Sequence, residues 1–163
     1  MTEEDSYARL TQNWLYWSTL GQLAHPSVST SCDDCAVVFS SDESSVHLRH
    51  HDGWWVIDTV NDRRQRQNDT ARFSSYELAE KYLVWMWAST ARSAVRAPVL
   101  GPTFYAMGFA PGVQAIPVSE GVYELRSPRG RAVTTEPYAT IFSHLMDKPE
   151  HDIQRIVRAG ING

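Results

Sequence analysis

Residues 51–87 read HDGWWVIDTVNDRRQRQNDTARFSSYELAEKYLVWMW, and the fold class follows from this stretch. Asp52-Gly53 is a hairpin signal, because the tightest hairpin turn needs positive φ at both central residues. Trp54 to Thr59 is aromatic and β-branched, which predicts a strand. From Asn61 to Asp69 no apolar residue occurs, so an exposed loop is expected, leading into a short strand at Ala71 to Phe73. Ser74-Ser75-Tyr76-Glu77 has the spacing of a capping box, in which the serine and glutamate side chains satisfy backbone N–H groups at a helix start. Leu78, Ala79, Tyr82, Leu83, Trp85, Met86 and Trp87 then cover more than half of a helix circumference. A long central helix over about 75–96, buried against a sheet, is the prediction. Strand, loop, strand and helix in this order make an α+β protein.

Working outward, Ala36 to Phe39 and Val46 to His50 complete an antiparallel meander with Trp54 to Thr59, separated by Ser40-Ser41-Asp42-Glu43. Tyr7, Leu10, Trp14 and Trp17 recur at steps of three and four, so an N-terminal helix is expected from residue 4 to about 23, with Glu3, Glu4 and Asp5 at the positive end of its dipole and Pro26 beyond its end. Pro98 to Pro111 is Pro- and Gly-rich and reads as an ordered connector. A second meander is predicted at Val113 to Val118, Val122 to Arg126 and Ala132 to Glu136, followed by short helices over about 138–146 and 150–158 and a loose tail marked by Gly160 and Gly163. The order strand, Arg-bearing turn, strand, helix occurs twice, after Gly53 and after Gly121, as a degenerate duplication would leave it. The whole, residues 1–163, is expected to be one domain around one core.

The acidic N-terminus and the lack of a long apolar run argue against a signal peptide or membrane span, so a cytoplasmic protein with no membrane partner is expected. Net charge is −4, with a balance of −8 over residues 1–62 (ten acids, two bases) and +4 over the rest (thirteen bases, nine acids). Such polarity bears on partners and encounter rates, although two parts of one domain neutralising each other explains it equally well. Arg63-Arg64-Gln65-Arg66 is the sharpest basic cluster, but no aromatic residue is interleaved and the chain is acidic overall, which is not the footprint of a nucleic-acid binder. A loop that meets an acidic cleft on a protein partner fits better, and a solvated loop is the plain alternative.

Candidate chemistry is sparse. Cys32-Asp33-Asp34-Cys35 has C-x2-C spacing with His25, His47, His50 and His51 nearby, yet a zinc site needs four converging ligands, and the neighbours Val46, Leu48 and Arg49 put His47 and His50 on opposite or ambiguous faces of one strand. Two buried or half-buried thiols at a strand start are expected, with no metal and no cofactor. His50-His51-Asp52 and His151-Asp152 pair imidazole with carboxylate but lack a nucleophile motif or phosphate loop, so no catalytic residue is assigned. Trp54 and Trp55 must point to opposite faces of a strand, which leaves one for a second layer or an interface.

At Asp52-Gly53-Trp54-Trp55-Val56-Ile57-Asp58, Arg63-Arg64, Ala71-Arg72-Phe73-Ser74-Ser75 and Leu78-Ala79-Glu80-Lys81-Tyr82-Leu83-Val84-Trp85, the sequence resembles a family of actinobacterial immunity proteins that includes the antitoxin of tuberculosis necrotizing toxin, a secreted NAD glycohydrolase. The likeness is clearest over about residues 45–96 and carries no catalytic motif. It implies a cytoplasmic inhibitor that binds the toxin domain and occludes its NAD site. The expected contact elements, chosen on physical grounds, are the loop with Asp62, Arg63, Arg64, Gln65, Arg66 and Asp69, and the C-terminal tail with Arg155, Arg158 and Gly163. The alternatives are a small metal-binding enzyme using Cys32 and Cys35, and a cytoplasmic chaperone or adaptor of a secretion system.

Overall fold

The structure, a computed structural model, describes residues 7–161. Helix α1 is Ala8–Leu20, followed by strands β1 (Ser27–Ser29), β2 (Val37–Ser40), β3 (Ser45–His51), β4 (Trp54–Val60) and β5 (Arg66–Phe73). Helices α2 (Tyr76–Ala94) and α3 (Gly101–Ala106) come next, then β6 (Gln114–Ser119), β7 (Val122–Ser127), β8 (Gly130–Thr135), α4 (Tyr138–Ser143) and α5 (Glu150–Arg158). The acidic first turn expected for α1 and the tail residue Gly163 lie outside the described residues.

The two predicted meanders are parts of one antiparallel eight-stranded sheet, in the order β1-β2-β3-β4-β5-β8-β7-β6. They join through their last strands, with Arg72 opposite Val133 and Phe73 opposite Ala132. Each meander is followed by a helix, so the order β3-β4-β5-α2 is repeated by β6-β7-β8-α4, and these six strands are arranged symmetrically about the β5–β8 pair, with β1 and β2 added at one edge. The sequence echo has this topological counterpart.

The Asp52-Gly53 turn has positive φ at both residues, 52° and 81°, as the hairpin signal requires. Downstream, two expectations are corrected. Arg66 to Asp69, read as loop, belongs to β5, because backbone pairing to β4 (Thr59 with Gln67, Val60 with Arg66) extends the hairpin while the side chains stay exposed. The helix cap is also displaced by one residue. Ser75 Oγ accepts from the Leu78 N–H (3.3 Å), whereas Ser74 Oγ accepts from the Arg131 N–H of β8 (2.8 Å), and Glu77 pairs with Lys81 (3.2 Å) instead of folding back. Gly130 allows this junction: a Cβ there would lie 2.4 Å from Ser74 Oγ, at a φ of 138°.

Helices α2 and α4 pack on one face of the sheet, with α1 and α5 against α2 and α3 against α4. The core between them includes Trp17, Phe39, Leu48, Ile57, Phe73, Leu83 and Phe142. Burying a side chain of this size is worth roughly 1.5–3 kcal/mol. The central helix also buries Glu80, Lys81 and Arg92. Each is paired, as burial of a charge demands. Arg9 grips Glu80 with two bonds (2.5 and 2.8 Å), Lys81 donates to the Met146 carbonyl (3.0 Å), and Arg92 donates to the carbonyls of Pro98, Val157 and Ala159. Through Arg92 the segment expected as a loose tail is tied to α2 as far as Ala159.

Candidate protein-contact surface

Among the described residues, the other face of the sheet carries no helix. Alternation along β3, β4 and β5 sends His47, Arg49, Trp54, Asp58 and Arg72 to it, while Leu48, Trp55, Ile57 and Phe73 turn toward the helices. The two tryptophans divide as expected: Trp55 stacks on His50 and meets Tyr76 of α2, and Trp54 lies beneath the guanidinium groups of Arg131 (4.8 Å) and Arg72 (5.7 Å).

Asp58 organises this face. It sits where the β4–β5 register slips between Ile57 and Thr59, and its side chain is fully buried. It accepts from Arg49 Nε (2.6 Å), Arg66 Nη2 (2.9 Å) and the Asp69 N–H (2.8 Å). Burial alone would push its carboxyl up, but the two guanidinium groups and the backbone N–H outweigh it and hold the pKa below the ordinary aspartate value. Arg66 also reaches Asp34 (3.1 Å), so a shallow cleft of about 540 Å³ is lined by Asp34, Arg49, Asp58, Arg66 and Asn68.

The expected contact loop therefore divides. At the hairpin tip, Asn61 Oδ1 accepts from the N–H groups of Arg63 and Gln65, and its side-chain amide donates to Gln65 Oε1. This turn presents Asp62, Arg63 and Arg64 to solvent, and neither arginine side chain has a hydrogen-bond or ion-pair partner among the described residues. Arg66 and Asp69 instead hold the hairpin to Asp58, and Asp69 pairs with Arg72. Arg155 and Arg158 lie on α5: the first pairs with Asp152 (2.9 Å), and the second covers Tyr16 (4.1 Å) and bonds Gln154. No hydrogen bond or ion pair joins the hairpin to α5 among the described residues.

One surface was not legible as a contact element. Val95, Val99, Tyr105 and Met107, within or beside the connector, are four of the seven exposed large apolar residues among the described residues, and Val99 and Met107 are 65% and 63% exposed. The segment is anchored, since Ala110 N–H donates to Ser143 Oγ (2.9 Å) and the Gly108 carbonyl lies 2.6 Å from His144 Nε2. Anchored, exposed aromatic and methionine side chains are typical of protein interfaces. The only signal in the sequence was the interleaving of Phe104, Tyr105, Met107 and Phe109 with Pro and Gly.

The expected thiols are corrected: Cys32 and Cys35 form a disulfide, because the four-residue loop brings their Cα atoms to 5.3 Å. His47 faces it, with Nδ1 3.8 Å from each sulfur, and burial followed by the charge of Arg66 lowers its pKa. The imidazole–carboxylate pairs His51–Asp52 (3.1 Å) and His151–Asp152 (3.4 Å) form on the surface, with each histidine more than two-thirds exposed. Among the described residues no helix is long and apolar enough to cross a membrane.

Comparison with known proteins adds a family. A model described as Immunity protein 61 (Imm61) matches residues 19–159. No curated protein matches the chain. Among solved structures, Rv3902c from M. tuberculosis matches with a TM-score of 0.69 at 17% identity, covering 89% of this chain and 86% of that one, a likeness of fold.

Proposed function

The chain belongs to the immunity protein 61 family, and on that premise we propose that it acts in the cytoplasm as a stoichiometric inhibitor of an NAD-glycohydrolase toxin, binding the toxin domain and covering its NAD site without catalysis of its own. The family match over residues 19–159 carries the antitoxin role. The choice of an NAD-cleaving toxin rests on the resemblance at residues 52–58, 63–64, 71–75 and 78–85. The hairpin tip and α5 are the proposed contact elements. Asp62, Arg63, Arg64 and Gln65 make direct contacts, Arg66 and Asp69 fix the hairpin that presents them, and Arg155 and Arg158 contribute from α5. Planar guanidinium groups with several donors suit recognition of carboxylates on a partner.

Co-expression with such a toxin domain tests the reading. A one-to-one complex on a sizing column and loss of NAD hydrolysis on titration are expected, and the chain alone should leave NAD intact. Co-elution without inhibition refutes the blocking of the NAD site, and absence of both refutes the pairing.

A further inference from the structure

We propose that Cys32, Asp34, Cys35 and His47 form a zinc site when the disulfide is reduced. The four ligand atoms lie within 4.8 Å of one another. His47 Nδ1 is 3.8 Å from both sulfurs, and Asp34 Oδ1 is 3.3 Å from Cys32 Sγ. In a tetrahedral zinc site with bonds of about 2.0–2.3 Å, neighbouring ligand atoms stand about 3.5 Å apart, so the two sulfurs must separate on reduction and the widest pair, at up to 4.8 Å, must draw together.

The surrounding groups are placed as an outer shell would be. His47 Nε2 lies 3.1 Å from Ser45 Oγ, which can accept from Nε2–H in the tautomer that leaves Nδ1 as the electron-pair donor facing the sulfurs. Asp34 Oδ2 is held by Arg66 Nη1 (3.1 Å), which leaves Oδ1 turned toward Cys32. The β2–β3 register creates the cluster: Val38 pairs with His47 and Val37 with Leu48, so His47 stands beside the Cys35-Ala36 segment that leads into β2.

The chemistry balances as two steps. A cellular dithiol reductant passes two electrons and two protons to the disulfide, giving two thiols and the oxidised reductant. Zn²⁺ then binds both sulfurs as thiolates and releases their two protons. Cytosolic proteins rarely keep disulfides, so the reduced pair is the form such a compartment favours. The site is separate from the hairpin tip, and its test needs no toxin.

The test uses the full chain, reduced with a phosphine and kept free of oxygen, titrated with Co²⁺ and then Zn²⁺. One equivalent of Co²⁺ should give intense tetrahedral ligand-field absorption with a thiolate charge-transfer band, both removed by Zn²⁺. His47→Ala and Cys32→Ser/Cys35→Ser should lose the spectrum while retaining the native circular dichroism. Ser45→Ala should weaken zinc about tenfold, as loss of an outer-shell partner does. His50→Ala, on the other face, should bind normally. A reduced wild-type chain that gives no thiolate band, or binding unchanged in His47→Ala, overturns the proposal. Should His47→Ala unfold, His47→Gln is the second variant, with the same criterion.

Discussion

Replacing Asp58 by Asn isolates the charge that fixes the hairpin. The side chain is fully buried, and its carboxylate accepts from Arg49, Arg66 and the Asp69 N–H. Asparagine keeps one acceptor oxygen, which the Asp69 N–H can retain, but it presents an NH2 group where a guanidinium donates. A hydrogen bond to a charged group is worth about 1.5–3 kcal/mol, and loss of one partner from a fully buried ion pair costs about 3–5 kcal/mol. Arg49 and Arg66 are 26% and 33% exposed, so water takes over part of their solvation. The expected loss is therefore about 2–3 kcal/mol, read as a lower urea midpoint at unchanged slope. The pH dependence follows from the sign of the shift. The folded carboxyl titrates below its unfolded value, so its contribution is fully present above about pH 4 and is lost as pH falls through the folded pKa. The stability gap between wild type and Asp58→Asn should be constant near neutrality and close in acid. A loss below about 1 kcal/mol, or a gap that widens in acid, would show that Asp58 does not fix the hairpin through its charge.

Charge reversal at Arg63 and Arg64 should leave stability within about 0.5 kcal/mol of wild type, as for other exposed positions, while slowing association with the toxin and lessening its salt dependence; stopped-flow binding reads both. Arg66→Glu should destabilise by about 1–2 kcal/mol even without toxin, because it removes a donor from buried Asp58. Gly130→Ala should cost about 1–3 kcal/mol in thermal or urea unfolding, since its backbone sits at a φ of 138° and the new Cβ meets Ser74 Oγ. The double variant Tyr105→Ser, Met107→Ser should keep the melting curve and weaken toxin binding at least tenfold by calorimetry if the connector is part of the interface.

Most of the fold was legible where burial writes a period into the chain. Helices α2 and α5, the Asp52-Gly53 turn and the alternation of Trp54 and Trp55 all follow from side chains that must enter or avoid a core. What escaped depends on backbone or tertiary pairing. Arg66 to Asp69 forms a strand through main-chain bonds alone, with nothing apolar to announce it. Helix α3 lies inside a Pro- and Gly-rich segment that reads as an ordered connector without a helix signal. Asp58 looked like an ordinary polar residue in a strand, since its burial depends on a register slip and on partners 8, 9 and 11 residues away. The sequence left the faces of His47 and His50 opposite or ambiguous, and only the β2–β3 register reveals that His47 meets the Cys32–Cys35 loop.

The charge polarity of the chain can now be divided between folding and recognition. Arg66 comes from the basic part and is neutralised by Asp34 and Asp58 of the acidic part, so some of the −8 against +4 imbalance is two segments of one domain compensating each other. Arg63 and Arg64, three and two residues earlier, share its charge but have no such partner among the described residues. A carboxylate-rich surface approaching the hairpin would gain new ion pairs at Arg63 and Arg64, whereas at Arg66 it would have to compete with Asp58. If recognition is electrostatic, its salt dependence should therefore fall when the two tip arginines are removed and change far less when Arg155, already paired with Asp152, is removed.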